Sequence, residues 1–156
     1  MRRNSPDNRY LRFGFFALFL VLLQIISTTF LFMPTFAGLF FTYIVLNISN
    51  EDNFFYIILS FLYLGFYELS RGFFLFSYVI LFILYYYLFD EKIRNYFKCK
   101  NCILFIYVVV AYIGHFFINM LIAYILNNKL PGFSFEYFYY IAFDFVVALF
   151  VFRGKV

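Results

Sequence analysis

The sequence predicts an all-α integral membrane protein, a helical bundle with about six transmembrane helices. Of its 156 residues, 66% are hydrophobic and only 13% are charged, whereas a soluble domain is about half apolar and about a quarter charged. A chain of this size has too much surface for its volume to bury so many apolar side chains. The apolar residues also fall into six stretches separated by short polar segments. Together these observations exclude an ordinary soluble enzyme, a disordered tail and a nucleic-acid-binding module.

The apolar stretches predict helices rather than barrel strands. They cover residues 13–33, 35–48, 54–69, 73–89, 103–126 and 135–152. Lipid admits only helices and closed barrels, because backbone polar groups must be satisfied within the protein. Barrel strands alternate apolar and polar residues, but residues 103–110 are apolar without interruption. Since only short segments remain between the stretches, we expect a single polytopic membrane domain over residues 1–156.

The stretches differ in how well they match a membrane span of about 20 residues. The first and fifth stretches satisfy this length easily, while the second, third and fourth are short. Residues 35–48 would form a helix of about 21 Å against a hydrocarbon core of about 30 Å. This stretch is therefore a half-span, a re-entrant piece or a span in locally thinned bilayer. We expect six spans, with five, or four and a partial hairpin, as the alternative.

The basic residues indicate the orientation of the bundle. Ten of the twelve lie before the first stretch, between the fourth and fifth, or after the sixth: Arg2, Arg3, Arg9, Arg12, Lys92, Arg94, Lys98, Lys100, Arg153 and Lys155. If both termini are cytoplasmic, all ten lie inside, and only Arg71 and Lys129 lie outside. This is a strong positive-inside bias. It also argues against a nucleic-acid partner, which needs basic residues gathered on one solvated face.

The two cysteines form a C-x-x-C pair, Cys99 and Cys102, at the inner end of the fifth stretch. Such a pair is typical of redox or metal sites. Neither a second pair nor a nearby histidine completes a set of four metal ligands, and the cytoplasmic side is reducing. We therefore expect two incidental thiols.

Ionisable side chains within membrane helices are costly and mark candidate functional sites. We single out three of them as candidates: Glu68, His115 and Asp144. Arg71 follows Glu68 by three residues, so both side chains share a helical face. Their pairing would be either a salt bridge that holds the turn around Gly72 or a functional pair near the outer membrane surface.

The fifth stretch carries a stripe of polar and small residues at helical spacing, formed by Tyr112, His115, Asn119 and Ala123. Such a stripe faces other helices, where its polar groups can form hydrogen bonds. A ligand or proton site would need the same stripe. In the first stretch, Gln24 marks a similar helix-packing face.

The sixth stretch places Asp144 in mid-span, in line with Glu136, Tyr140 and Ala148. Asp144 must pair with a group on another helix or stay protonated. His115 is the nearest candidate by depth, since both lie near the middle of adjacent spans.

No motif predicts catalysis or a bound cofactor. The chain lacks a Walker A sequence, G-x-G-x-x-G, G-x-S-x-G and H-E-x-x-H. A metal site made of Glu68, His115 and Asp144 can be drawn, but no ligand motif supports it. We therefore predict no catalytic residue, no cofactor and no metal, and a chain that is not an enzyme. Its candidate intramembrane polar or partner-contact residues are Gln24, Glu68, Arg71, His115, Asn119 and Asp144.

The order of these features resembles the rod-shape-determining membrane protein MreD family of bacteria. A first span with Leu22-Leu23-Gln24 is followed by a connector with Pro34 and an apolar second span. The third span ends in Gly65-Phe66-Tyr67-Glu68-Leu69-Ser70-Arg71-Gly72, similar to the family's pattern of a glycine, an acid and a glycine four residues after the acid. The acid is Glu68 where the family often has aspartate, and Thr35 replaces the acid that follows the family's proline. An apolar fourth span, a basic inner loop and two final spans complete the resemblance.

The resemblance implies a non-enzymatic, multi-pass scaffold of the bacterial inner (cytoplasmic) membrane. Its partners would be an MreC-like bitopic protein and the cell-wall elongation complex of MreB, polymerase and transpeptidase, besides the lipid bilayer itself. The chain would then support peptidoglycan synthesis and cell shape through membrane helix contacts. The family is also similar in fold to substrate-binding subunits of energy-coupling-factor transporters, so the alternative is a small-molecule-binding membrane subunit.

Overall fold

A computed structural model of the chain describes residues 6–29, 34–49, 53–97, 99–129, 132 and 134–152. The described residues form helices and turns and contain no strand, so the predicted all-α class is confirmed. Five basic residues used to predict the orientation lie outside the described residues: Arg2, Arg3, Lys98, Arg153 and Lys155. The last part of the first predicted stretch, residues 30–33, also lies outside them.

Six helices follow one another along the described part of the chain. Four contain no π-helical turn: α1 is Pro6–Thr29, α2 is Ala37–Asn47, α3 is Phe54–Arg71 and α6 is Glu136–Val151. The other two each contain one π-helical turn. Helix α4 consists of Ser77–Tyr85, the π turn Tyr86–Asp90 and Glu91–Tyr96. Helix α5 consists of Lys100–Val109, the π turn Val110–Gly114 and His115–Ile125.

Helices α2 and α4 both begin after a phenylalanine in the left-handed conformation. Phe36 has a φ of 53° and Phe76 a φ of 68°, which is uncommon for residues other than glycine. The turn redirects the chain so that each helix starts within the bundle. Helix α2 has only 11 residues, even fewer than predicted, and rises about 16 Å. Its first amide groups therefore need acceptors inside the protein.

Helix α3 ends in a backbone-closed turn at Gly72, which has a φ of 71°. The Gly72 amide donates to the carbonyl of Leu69 at 3.4 Å, and the Phe73 amide donates to the carbonyl of Glu68 at 2.9 Å. This pattern is a Schellman C-cap, for which glycine is favoured. The backbone itself therefore holds the turn that we had assigned to a Glu68–Arg71 salt bridge.

The predicted loop over residues 90–102 is mostly helical. Helix α4 begins four residues later than the predicted stretch and continues past it to Tyr96. The π turn buries Asp90, which accepts a hydrogen bond from the hydroxyl of Tyr107 at 3.1 Å. The structure also brings the sulfur atoms of Cys99 and Cys102 into disulfide-bonding range at the start of α5, where we expected two incidental thiols. Their spacing places both side chains in the first helical turn.

Contacts along the helices show that α1 and α3 run in the same direction. Near their starts, the rings of Phe16 and Tyr56 lie 5.3 Å apart. Near their ends, the amide nitrogen of Gln24 donates to the hydroxyl of Ser70 at 3.2 Å. Helix α2 runs in the opposite direction, since Asn53 at the start of α3 donates to Asn47 at the end of α2 at 3.0 Å. The first three helices therefore alternate in direction.

Polar groups lie inside the bundle, and large apolar side chains cover much of its outside. The buried polar residues are Ser27, Thr35, Thr42, Asn47, Ser60, Glu68, Ser77, Asp90, His115, Asn119 and Asp144. Exposed apolar residues occur on every helix except α2 and include Phe15, Leu69, Leu88, Phe117 and Phe150. Within the described residues, one helix, Lys100–Ile125, is both long and apolar enough to cross a membrane. Shorter apolar helices are Phe13–Thr29 and Ala37–Asn47.

Candidate functional site

Glu68 caps the amino end of helix α4. Its carboxylate is 1% exposed and lies at the end of α3, next to the first turn of α4. The backbone amides of Phe76 and Tyr78 donate to its two oxygens at 2.8 and 2.7 Å. The amino end of a helix has unsatisfied N–H groups and a partial positive charge. A buried carboxylate at this point therefore satisfies both the donors and the charge.

Ser77 links Glu68 to helix α5. Its hydroxyl donates to Glu68 Oε1 at 2.6 Å and also lies 2.7 Å from His115 Nε2 and 2.9 Å from Asn119 Nδ2. A serine hydroxyl has one hydrogen to donate and can accept two. Because that hydrogen goes to the carboxylate, Asn119 Nδ2 donates to the hydroxyl oxygen. His115 Nε2 lies within hydrogen-bond distance of both Ser77 Oγ and Asn119 Nδ2, at 2.7 and 3.0 Å.

Aromatic stacking and a second backbone contact complete this first cluster. The ring of Tyr78 stacks on the His115 ring, with centroids 3.9 Å apart and planes at 12°. Asn119 Oδ1 accepts the backbone amide of Phe74 at 2.9 Å. His115 and Asn119 thus hold the connection between α3 and α4 against α5.

Asp144 caps the amino end of helix α2 in the same way. Its side chain is fully buried in α6. Its Oδ2 accepts the backbone amides of Gly38 at 2.9 Å and Leu39 at 3.3 Å, and the hydroxyl of Tyr112 at 2.8 Å. The Tyr112 hydroxyl also lies 3.0 Å from that of Thr35, just before α2. This second cluster therefore joins α2, α5 and α6.

Gly38 allows the close approach of these three helices. A Cβ atom there would lie 3.0 Å from Asp144 Oδ2, from a ring carbon of Tyr112 and from a methyl group of Val108. Two of those neighbours are held by hydrogen bonds and cannot easily move away. The glycine is thus required by the cap itself.

The polar stripe predicted on the fifth stretch divides between the two clusters. Tyr112 lies within the π turn of α5 and contacts Asp144, whereas His115 and Asn119 follow that turn and contact Ser77. A π turn contains an extra residue, so the side chains after it point in a different direction around the helix axis than an uninterrupted α-helix would give. One helix therefore supplies a hydroxyl to one carboxylate cluster and an imidazole and an amide to the other.

Two predicted pairings are wrong. Asp144 does not pair with His115, because its Oδ2 is bonded to α2 and Tyr112, while His115 Nε2 lies 3.5 Å from Glu68 Oε1. Glu68 does not pair with Arg71, because Glu68 points into the bundle and Arg71 is exposed. The Arg71 guanidinium instead donates to the hydroxyl of Tyr140 at 3.3 Å. Two side chains three positions apart on one helical face do not pair when one of them caps another helix.

The six predicted polar residues therefore fall into two groups. Glu68, His115, Asn119 and Asp144 are 1% exposed or less and bond within the chain. Arg71 lines an open cleft of about 170 Å³ between the end of α3 and the start of α6. Gln24 is half-buried and bonds to Ser70.

Sequence reasoning missed Ser77 and Thr35 as parts of these clusters. Thr35 lies just before α2, at the edge of an apolar stretch, and Ser77 is the first residue of α4. Serine and threonine are common at helix starts, and that signal could have located them. Sequence pattern does not show that a carboxylate more than 100 residues away caps α2.

Both clusters use a carboxyl group to bind the start of a helix. Glu68 accepts hydrogen bonds on both oxygens and Asp144 accepts them on Oδ2, whereas Asp144 Oδ1 is buried without a hydrogen-bond partner. Among the residues that the structure describes, no group of three or more His, Cys, Asp and Glu side chains could hold a metal ion. What the arrangement does is place carboxyl acceptors at two buried helix ends.

Comparison with known proteins finds no match: no family model, no curated protein and no solved structure matches the chain.

Substituting Glu68 by glutamine should destabilise the protein. Glutamine keeps the size but retains only one acceptor oxygen, and its amide group faces donors of the first turn of α4. We expect a loss of about 1–3 kcal/mol in unfolding free energy, as for a buried donor left without its partner. Reversible unfolding in mixed detergent micelles measures it. Glu91→Gln, at an exposed position, is the control, and equal stability of the two variants would contradict the capping role.

Substituting Gly38 by alanine should also destabilise the bundle, by about 1–3 kcal/mol, because overpacking forces the capped groups apart. Gly65→Ala is the matched control, since a Cβ there meets nothing within 4 Å. Replacing a glycine by alanine within a helix should itself raise the unfolding free energy by up to about 1 kcal/mol. Unfolding of Gly38→Ala at the same or a higher fraction of denaturing detergent than Gly65→Ala would contradict this prediction. It would show that the close approach of Asp144, Tyr112 and Val108 does not require a glycine at position 38.

Proposed function

We propose that this chain is a multi-pass subunit of the bacterial inner membrane that acts as a non-enzymatic scaffold of the cell-shape machinery, similar to MreD. The observation that carries this proposal is the use of the buried polar groups. The intramembrane carboxylates, the histidine and the asparagine all bond to the chain's own helix ends, which leaves the outer surface of the bundle for contacts with other proteins.

The distribution of side chains supports the membrane location. Soluble monomers rarely expose large contiguous apolar patches, yet here exposed apolar side chains occur on every helix except α2, while Glu68, His115 and Asp144 are buried. Short helices with internal caps are also suited to lipid, since backbone away from a helix is tolerated at membrane depth only where protein covers it. We infer that α1 to α6 cross the membrane alternately, with both termini cytoplasmic.

The proposed partners follow from the resemblance. An MreC-like bitopic protein would pack on the exposed apolar helix faces, and the basic inner segments would lie near anionic lipid. The elongation complex of MreB, polymerase and transpeptidase would be reached through that partner. Glu68, in the segment with the resemblance, would contribute by fixing the α3–α4 corner rather than by touching a partner, because it is 1% exposed.

The arrangement favours a scaffold over the small-molecule-binding alternative. That alternative expects one cavity lined by Tyr112, His115, Asn119 and Asp144. The four side chains instead belong to two separate clusters and are all 1% exposed or less.

The proposed orientation can be mapped with single cysteines. In a chain with Cys99 and Cys102 replaced by serine, Asn128→Cys lies after α5 and should react with a membrane-impermeant maleimide in intact spheroplasts. Glu91→Cys lies at the opposite end and should react only after permeabilisation. Both positions are exposed, so equal labelling of both in intact spheroplasts would contradict an alternating bundle.

Deleting the protein should round a rod- or spiral-shaped cell, and wild-type protein should restore the shape. Unchanged shape in a clean deletion would contradict the scaffold proposal. The Glu68→Gln variant tests whether the scaffold is non-enzymatic. Its effect on cell shape should be proportional to its reduced amount in the membrane, which is measured by blotting. Rounded cells with wild-type amounts of that variant would indicate chemistry at Glu68 instead.

A further inference from the structure

The cleft between α3 and α6 has a composition unlike the rest of the bundle surface. It measures about 170 Å³ and is lined by Tyr67, Arg71, Phe73, Ser134, Glu136, Tyr137 and Tyr140. One cation and one carboxylate therefore face the same opening, between tyrosine side chains. The helices that form it continue directly to the two buried carboxylate clusters, so its walls are held firmly.

Tyr140 holds the two charges apart. The guanidinium of Arg71 donates to its hydroxyl at 3.3 Å, and the hydroxyl donates to Glu136 Oε2 at 3.4 Å. The guanidinium carbon also lies 6.0 Å from the centre of the Tyr140 ring, within cation–π range. Arg71 has five N–H donors and a carboxylate has four acceptor positions. Both charged groups therefore keep most of their hydrogen-bonding capacity for a ligand.

We propose that this cleft binds a zwitterion, a group with an anion and a primary ammonium a few bonds apart. The anion would accept paired hydrogen bonds from Arg71, for which guanidinium geometry suits phosphate and carboxylate equally well. The ammonium would donate to Glu136. A ligand with only one charge would leave the opposite charge of the cleft without a partner.

The surroundings favour a phospholipid headgroup that carries an amine. The exposed apolar side chains of Leu69 and Phe135, at 62% and 84% exposure, are close in sequence to the cleft residues Arg71 and Glu136. In the proposed orientation, the cleft opens at the outer membrane surface, where acyl chains would lie along these side chains. A free phosphorylated amine would offer the same charged groups, and the test distinguishes the two sources.

The first experiment varies the ligand and keeps the wild-type chain. Purified full-length protein is exchanged into nanodiscs that contain phosphatidylglycerol together with either phosphatidylethanolamine or phosphatidylcholine, and retained lipid is counted by native mass spectrometry after release. We expect phosphatidylethanolamine to be retained roughly tenfold more than phosphatidylcholine, whose trimethylammonium cannot donate to Glu136, and more than phosphatidylglycerol. Equal retention of the three lipids would overturn the proposal.

The second experiment varies the protein. Glu136→Gln and Arg71→Gln should each lower phosphatidylethanolamine retention roughly tenfold, while Lys129→Gln, an exposed cation outside the cleft, should leave it unchanged. Tyr140→Phe keeps the ring and should give an intermediate loss. Retention unaffected by Glu136→Gln would show an anion site only and overturn the zwitterion.

A third experiment distinguishes a lipid headgroup from a free phosphorylated amine as the ligand. Free phosphoethanolamine is titrated onto the protein in detergent, so the result does not depend on membrane placement or on the proposed cell-shape function. Saturable binding that Arg71→Gln abolishes would support the cleft with a soluble ligand. Lipid retention without such binding would support the headgroup, and the absence of both would overturn the site.

Discussion

Two helices of this chain begin inside the bundle, and each beginning depends on one buried carboxylate. An uncapped helix start exposes several N–H donors, and each donor left unsatisfied away from water is costly. Glu68 supplies acceptors to α4 and Asp144 supplies them to α2. The left-handed turns before both helices and the glycine at the start of the short helix α2 fit this constraint.

Helix α5 makes the two capped corners one unit. Its π turn lets Tyr112 bond to Asp144 while His115 and Asn119 bond to Ser77, beside Glu68. A change at either carboxylate would therefore be felt by both halves of the bundle. The buried ionisable residues Glu68, His115 and Asp144 bond within the chain, while an open, charged cleft lies at the end of the bundle.

Much of this architecture could be predicted from the sequence, and the limits have physical causes. Hydrophobic composition and uninterrupted apolar runs were enough for the helical class, and helical spacing identified Glu68, His115, Asn119 and Asp144 as candidates. Their partners could not be predicted, because a cap joins a side chain to backbone amides, and every residue type offers the same amide. Gly38 and Asp144 are 106 positions apart. The π turn in α5 likewise has no sequence signal that a period of 3.6 residues would detect.

The most direct test is amide hydrogen exchange of the wild-type protein in nanodiscs. We expect the amides of Gly38, Phe76 and Tyr78, which lie at or just before helix starts, to exchange slowly. Their exchange should be as slow as that of amides in the middle of α5, because buried carboxylates accept their hydrogen bonds. The first amides of α3, such as those of Phe54 and Phe55, should exchange fast, since no side chain caps that helix. Equally fast exchange at all these helix starts would contradict it.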